Sequence, residues 1–255
     1  MSPAELAERL LAAQANGTAI DRIDPDARLS EDEAYQVQFA LVEAKLRQGD
    51  SVIGLKTGLT SVAKQQAMGV AQPVLGHLLA SSLVQEGEPV SVAGLIHPRA
   101  EPELAFVLGR DIEAPVNAVG AREAVESVLP GIEIIDSRFR DFRFGLTDVI
   151  ADNTSAARVA FGNIRLRPDE IDARLVGMVF SKNGAVESTA AGAALMGDPY
   201  EALAWLAGRA CQLGRPLRAG QFVLAGALAD AVPVAAGDSV TLAFDRLGTL
   251  SLRFE

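Results

Sequence analysis

The chain has one cysteine, Cys211, and two histidines, His77 and His97, among 255 residues. A single cysteine excludes an intramolecular disulfide framework, and these three residues are too far apart in sequence to close a zinc site without carboxylates. No Gly-x-Ser-x-Gly elbow is present, so a serine hydrolase triad is not expected. Cationic side chains are scarce: Lys and Arg number 23 against 33 Asp and Glu, leaving a net charge of -10. That balance argues against an extended phosphate-binding surface, and nucleic acid is not an expected partner. No stretch approaches the ~20 apolar residues that span a bilayer. The opening MSPAELAERLLAAQANG carries Glu5 and Glu8 and has no export core. The expectation is a cytoplasmic protein with no membrane partner.

What the chain does have is apolar content, 49% of its residues. At this length that suffices for one large domain, or one domain with a smaller appendage. Ser2, Pro3 and Glu5 predict a capped helix over residues 2–15 that stops at Asn16-Gly17. Ser30 and Glu33 open a second helix, with Tyr35, Phe39, Val42 and Leu46 at helical spacing and Gly49 at its end. A short strand follows over 51–58, then a brief helix from Ser61 to Met68. A helix is expected from about Val119 to Val128, ending at Pro130. Arg138, Arg140 and Arg143 interleave with Phe139, Phe142 and Phe144, which reads as a half-buried strand or hairpin. Beyond residue 174 the pattern is mostly β, with an Asn183-Gly184 hairpin, a helix capped by Asp198-Pro199 that contains Trp205, and strands near 221–227, 239–244 and 249–254. Strands interspersed with helices predict a mixed, β-rich α+β fold rather than a doubly wound sheet. Cys211 reads as a buried small side chain within a helix, and His97 as a structural hydrogen-bonding residue.

The chemistry concentrates between residues 97 and 155. Glu101 and Glu103 lie two apart in an alternating stretch with Leu104, Phe106 and Leu108, so both should project from one strand face. Glu133 sits between isoleucines, where an unpaired carboxylate would carry a large desolvation penalty. Three carboxylates can form one all-oxygen site for a hard divalent ion, Mg²⁺ or Mn²⁺. Glutamates on the solvent face of an antiparallel strand are the competing reading. Lys56 stands among apolar and glycine residues; it either snorkels to solvent or pairs with a negative group in a pocket.

Several stretches together resemble the 2-oxopent-4-enoate hydratase and 4-oxalocrotonate decarboxylase group of the fumarylacetoacetase-like superfamily. They are Gly54-Leu-Lys-Thr-Gly-Leu-Thr-Ser61, His97-Pro-Arg-Ala-Glu-Pro-Glu-Leu-Ala-Phe106, Glu133-Ile-Ile-Asp-Ser-Arg138, Ile150-Ala-Asp-Asn153 and Gly197-Asp-Pro199. The resemblance implies a β-rich roll with an N-terminal helical region, and we divide the chain accordingly into a mostly helical part over 1–78 carrying Lys56 and a β-rich metal-binding part over 79–255. It implies that Glu101, Glu103 and Glu133 hold Mg²⁺ or Mn²⁺, that Lys56 is the catalytic lysine, and that the protein is a homo-oligomer, with a paralogous hydratase as a further partner. Arg138, Asn153 and Ser155 are candidates for binding a small 2-oxo dicarboxylate substrate, or equally for structural hydrogen bonding.

Within the group, the decarboxylase reading is favoured. Hydratases usually carry an acid where this chain has Val74, in Gln72-Pro-Val-Leu-Gly76, and the runs 134–144 and 231–238 look more like decarboxylases. Val223-Leu-Ala-Gly-Ala227, where decarboxylases usually carry a Gly-Gly pair, departs from that pattern. The alternatives are a 2-hydroxypenta-2,4-dienoate hydratase, a non-catalytic partner subunit, and a C–C hydrolase, for which no water-activating His-Glu pair can be placed.

Overall fold

The computed structural model describes every residue except 61–64, 66–71 and 86. Apart from Gln65, the helix expected from Ser61 to Met68 lies outside the described residues.

Two helices open the chain, α1 (Pro3–Ala15) and α2 (Glu31–Arg47), each started by a reciprocal capping box, Ser2 with Glu5 and Ser30 with Glu33. Between them, residues 20–30 are tied down by buried carboxylates. Asp148 accepts the backbone N–H groups of Ile23 and Asp24 at 3.1 and 3.0 Å, and Asp24 accepts those of Arg28 and Leu29. Each interaction satisfies a backbone donor that burial would otherwise leave unpaired.

Among the described residues the main sheet has seven strands. It runs β2 (Val74–Leu79), β1 (Val52–Gly58), β8 (Phe222–Ala227), β3 (Arg99–Leu108), β4 (Val125–Ile135) and β5 (Ala156–Phe161), with β9 (Val232–Pro233) also paired to β3. β1 and β8 are parallel, and the other neighbours are antiparallel. The sheet rolls into a half-barrel whose edges are joined where Leu83 bridges Val159 and the Val84 N–H reaches the Val159 carbonyl at 2.8 Å.

A second sheet has the order β11 (Gly248–Arg253), β10 (Ser239–Phe244), β6 (Gly177–Lys182) and β7 (Ala185–Ala191). Its β6–β7 hairpin turns at Asn183 and Gly184, whose φ of 51° and 82° are those of the turn that Asn-Gly favours.

The faces of β3 sort by period two. Ala100, Leu104, Phe106 and Leu108 join the large core, which takes in the second sheet and the helix α5 (Pro199–Gln212), where Tyr200 stacks on Phe106 at 5.1 Å. The opposite face holds Ala105 and Val107, which meet Leu78, Leu129, Val159, Phe161 and Leu224 in an apolar plug at one end of the half-barrel. At about 1.5–3 kcal/mol for each large side chain, this burial makes the plug a rigid floor.

Three expectations are corrected. The boundary at 78/79 falls inside β2, and Lys56 belongs to β1 within the main sheet; the helical part ends before residue 52 because β1 pairs with β8 far along the chain. The helix near 119–128 is only α3 (Ala118–Ala124), and residues from Val125 form β4, passing through Pro130. Proline is tolerated there because β5 stops at Phe161, and the Pro130 carbonyl accepts the Gly162 N–H just past the end of that ladder. The Arg/Phe run is neither strand nor hairpin. It makes a tight turn at Arg140–Phe142, with Asp141 and Phe142 both at φ 55°, and leads into α4 (Leu146–Ala151), which is too short to show helical periodicity.

Candidate active site

Strand register builds the site. Glu101 faces Glu133 across β3 and β4, and Glu133 faces Val159 of the plug. Lys56 faces Gly76 on one side and Leu224, also of the plug, on the other. By period two, Lys56, Glu101, Glu103 and Glu133 therefore all look into the half-barrel, one layer above its apolar floor. Gly76 and Gly131 share that layer. A Cβ at Gly76 would lie 2.2 Å from Thr154 Oγ1 and 3.0 Å from Lys56 Cγ, and one at Gly131 would lie 2.8 Å from Leu224. Glycine at these points leaves room for the long acidic and basic side chains.

The three glutamates are buried, and each offers an oxygen within 4.8 Å of the others. Lys56 Nζ lies 2.6 Å from Glu133 Oε2 and donates to the Thr154 carbonyl at 3.4 Å. Glu103 Oε2 accepts the Gly226 N–H at 2.8 Å, while Glu103 Oε1 and Glu133 Oε1 are buried with no hydrogen-bond partner among the described residues.

Burial opposes the Lys56 ammonium, but the three glutamates, Glu133 foremost, outweigh it and raise its pKa. Burial, opposed by Lys56 and reinforced by Glu101, pushes Glu133 up to about 7. Burial and then the Glu133 charge hold Glu103 well above the usual carboxylate range. Among the described residues the Lys56 ammonium pairs with Glu133 while Glu103 Oε1 and Glu133 Oε1 keep no hydrogen-bond partner. The orphaned oxygens and the all-oxygen donor set fit a hard divalent cation, with Glu101, Glu103 and Glu133 as its protein ligands.

The other candidate residues build the wall beside Lys56. Asn153, Thr154 and Ser155 have φ of 49°, 52° and 61°, an unusual left-handed turn that L side chains resist. It is held from both sides. Asn153 Oδ1 accepts the His77 N–H at 2.7 Å and Asn153 Nδ2 donates to the His77 carbonyl at 2.9 Å, tying the turn to β2. Arg138 is buried with its guanidinium turned onto Asp152 and the carbonyls of Asp136 and Ala156. Both side chains thus use their polar atoms on the protein itself. Ser155 Oγ is buried without a hydrogen-bond partner among the described residues.

Of the residues named from sequence, Lys56, Glu101, Glu103 and Glu133 meet in one layer, and Asn153 and Ser155 bracket the Thr154 carbonyl that touches Lys56. Sequence reasoning missed Thr154, Gly76 and Asp152, since nothing local marks a left-handed turn or its arginine partner.

The His97 backbone N–H donates to Asp136 Oδ1 at 2.7 Å, a bond any residue there could make, and its side-chain Nε2 is buried with no hydrogen-bond partner among the described residues. Cys211 is half-buried against the Ile112 carbonyl.

Residues 51–255 match the family described as fumarylacetoacetate (FAA) hydrolase, C-terminal. The chain belongs to the fumarylacetoacetate hydrolase family. Among relatives of this family, a 4-oxalocrotonate decarboxylase of a Pseudomonas species is 39% identical over 98% of this chain and 97% of its own. A 2-keto-4-pentenoate hydratase of Paraburkholderia xenovorans (strain LB400) is 37% identical over 98% of this chain and 94% of its own. The structure of the 4-oxalocrotonate decarboxylase from Pseudomonas putida G7, complexed with magnesium and adipate, superposes with a TM-score of 0.96 at 36% identity, covering 99% of this chain and 97% of that one. Fold family and site geometry therefore agree, and the β-rich α+β roll expected from the resemblance is the one observed. Among the described residues no helix is long and apolar enough to cross a membrane.

Proposed function

We propose that this chain is a metal-dependent decarboxylase of 4-oxalocrotonate (2-oxohex-3-enedioate), releasing CO₂ and 2-hydroxypenta-2,4-dienoate in the catabolism of aromatic compounds. The observation that carries it is the layer of three buried carboxylates closed by one buried lysine. The high similarity to decarboxylases along the whole chain, one of them holding magnesium and a dicarboxylate, supports the same reading.

Glu101, Glu103 and Glu133 would hold Mg²⁺ or Mn²⁺. The ion would act as a Lewis acid where negative charge accumulates on the 2-oxo group. The chain's own residues supply the rest. The apolar floor and the buried strands exclude water, which strengthens every electrostatic contact inside. Cleavage of the bond to the distal carboxylate sends its electron pair through the conjugated chain to the 2-oxo oxygen. Lys56, kept charged by the glutamates and aimed by the Thr154 carbonyl, is the proton donor placed to quench that oxygen as the enol forms. In this reading Arg138 and Asn153 shape the wall behind Lys56, and the Ser155 hydroxyl is the one polar group of the three left to meet substrate. A homo-oligomer, a paralogous hydratase partner and a cytoplasmic location belong to the same proposal.

A second reading, hydration of 2-hydroxypenta-2,4-dienoate, draws on hydratase relatives of comparable identity. Against it stands Val74. This residue pairs with Gly58 two positions along from the Lys56–Gly76 pair, on the same strand face, and is buried. Its side chain has no atom that can take a proton from water.

Purified protein supplied with Mg²⁺ should release CO₂ from 2-oxohex-3-enedioate and leave 2-hydroxypenta-2,4-dienoate unhydrated. Glu103→Gln should lower CO₂ release by on the order of 100-fold or more, because even outer-sphere partners of a metal cost about 10–100-fold. Hydration of the dienoate without CO₂ release would establish the second reading instead.

A further inference from the structure

The layer above the glutamates contains a cation that the mechanism does not use. Arg99 is two residues before Glu101 on β3 and is paired with Ile135, itself two residues after Glu133 on β4. Arg99 therefore looks into the half-barrel on the same face as the glutamates, one repeat further toward the mouth. Inward-facing neighbours on a strand are about 7 Å apart.

The Arg99 guanidinium lies over the ring of Phe142, 4.1 Å from its centroid, and among the described residues no salt bridge joins it to a carboxylate. The ring of His97 packs on the same phenyl group at 4.5 Å, and its Nε2 is buried without a hydrogen-bond partner among the described residues. In a chain with ten more acidic than basic residues, an inward-facing arginine that pairs with no carboxylate among the described residues is conspicuous. Stacking holds the guanidinium plane still while its N–H fork stays available.

We infer that Arg99, stacked on Phe142, receives the distal carboxylate of a 2-oxo dicarboxylate and so sets the enzyme's preference for dicarboxylates over monocarboxylates. The inference rests on the decarboxylase reading and deepens it. The 2-oxo acid end of such a substrate occupies the glutamate layer, and its four-carbon spacer carries the second carboxylate to the Arg99 layer.

Charge decides the kinetic consequence. During decarboxylation the negative charge leaves the distal carboxylate and moves toward the 2-oxo oxygen, so Arg99 grips the ground state more tightly than the transition state. It acts as a specificity residue rather than a catalytic one, and its loss should raise KM without lowering kcat.

The test uses Mg²⁺-loaded wild type, Arg99→Gln and Arg99→Lys. Steady-state decarboxylation is combined with calorimetric titration of adipate, a dicarboxylate, and hexanoate, its monocarboxylate counterpart. Arg99→Gln should raise KM for 2-oxohex-3-enedioate and weaken adipate binding by about 10–100-fold. It should leave kcat no lower than in wild type and hexanoate binding unchanged, and Arg99→Lys should recover part of the loss. Thermal melting of each variant separates misfolding from lost recognition. Equal adipate affinity in wild type and Arg99→Gln, or equal weakening of adipate and hexanoate, overturns the inference while wild-type CO₂ release still upholds the decarboxylase. Absence of CO₂ release in wild type itself removes the decarboxylase reading, and this inference with it.

Discussion

His77 shows how one residue couples the site to stability. Its ring is buried beside Phe39, with Nδ1 3.0 Å from Gln38 Oε1, and its backbone holds Asn153. Gln38 is itself committed, donating to the carbonyls of Leu75 and Ile150 at 3.0 and 2.7 Å. Burial, with the nearby Arg215 charge, depresses the imidazole to about 4. The unfolded chain takes up this proton near pH 6.5 and the folded chain only near 4, so the native state binds fewer protons in between. Stability from this group is therefore complete above about pH 6.5 and declines as the pH falls toward 4, by about 3 kcal/mol in all. Urea denaturation of wild type and His77→Leu at pH 7 and pH 4.5 should show the wild type losing more stability on acidification. Parallel losses in the two proteins would mean that His77 is charged in the fold.

At the scale of elements, β1, β2 and the left-handed turn at 153–155 form one unit. Lys56 pairs with Glu133 and also donates to the Thr154 carbonyl, and Thr154 can approach only because residue 76 has no side chain. Gly76→Ala should destabilise the protein by about 1–3 kcal/mol, the usual range for overpacking, and should lower kcat by displacing Thr154. Gly177→Ala is the natural control, since a Cβ there meets nothing within 4 Å. Denaturant unfolding of both, alongside CO₂ release, measures the difference. How much of this was legible varied by element. Capped helices, the Asn183-Gly184 hairpin and the strands bearing Glu101 and Glu133 follow from local patterns, and all are present. Helix α4 and the turn at 140–142 were not legible. Their backbone is decided by contacts such as Asp148 accepting the Ile23 N–H, more than a hundred residues away along the chain. The strand β4 through Pro130 was misread because only the end of the β5 ladder makes proline acceptable there.

For the whole molecule, the half-barrel is a device for concentrating negative charge that the unfolded chain never brings together. Folding gathers Glu101, Glu103 and Glu133 around Lys56 and leaves Glu103 Oε1 and Glu133 Oε1 buried with no hydrogen-bond partner among the described residues. A divalent ion that binds the folded chain should stabilise it by about 2.7 kcal/mol at a hundred times its Kd. For a chain of this size that is roughly 5–10 °C in Tm. Calorimetric melting with and without Mg²⁺ tests this. Glu101→Gln should abolish most of the shift. A full Mg²⁺ shift in that variant would place the ion elsewhere.

The amino-acid sequence by itself determined the composition of the site. A period-two pair of glutamates, a third between isoleucines and a lysine among glycines are local patterns, and local patterns report the face on which a residue lies. It also excluded disulfides, a closed zinc centre and a phosphate-binding surface, because those need residue types that are too few here. Only the tertiary structure decided how the parts meet: the β1–β8 pairing that brings Lys56 into the main sheet, the left-handed turn that aims it, and the register that sets Arg99 one layer above Glu101. Those relations join residues tens to more than a hundred positions apart, and their energy comes from backbone ladders and packing that no single stretch of sequence contains.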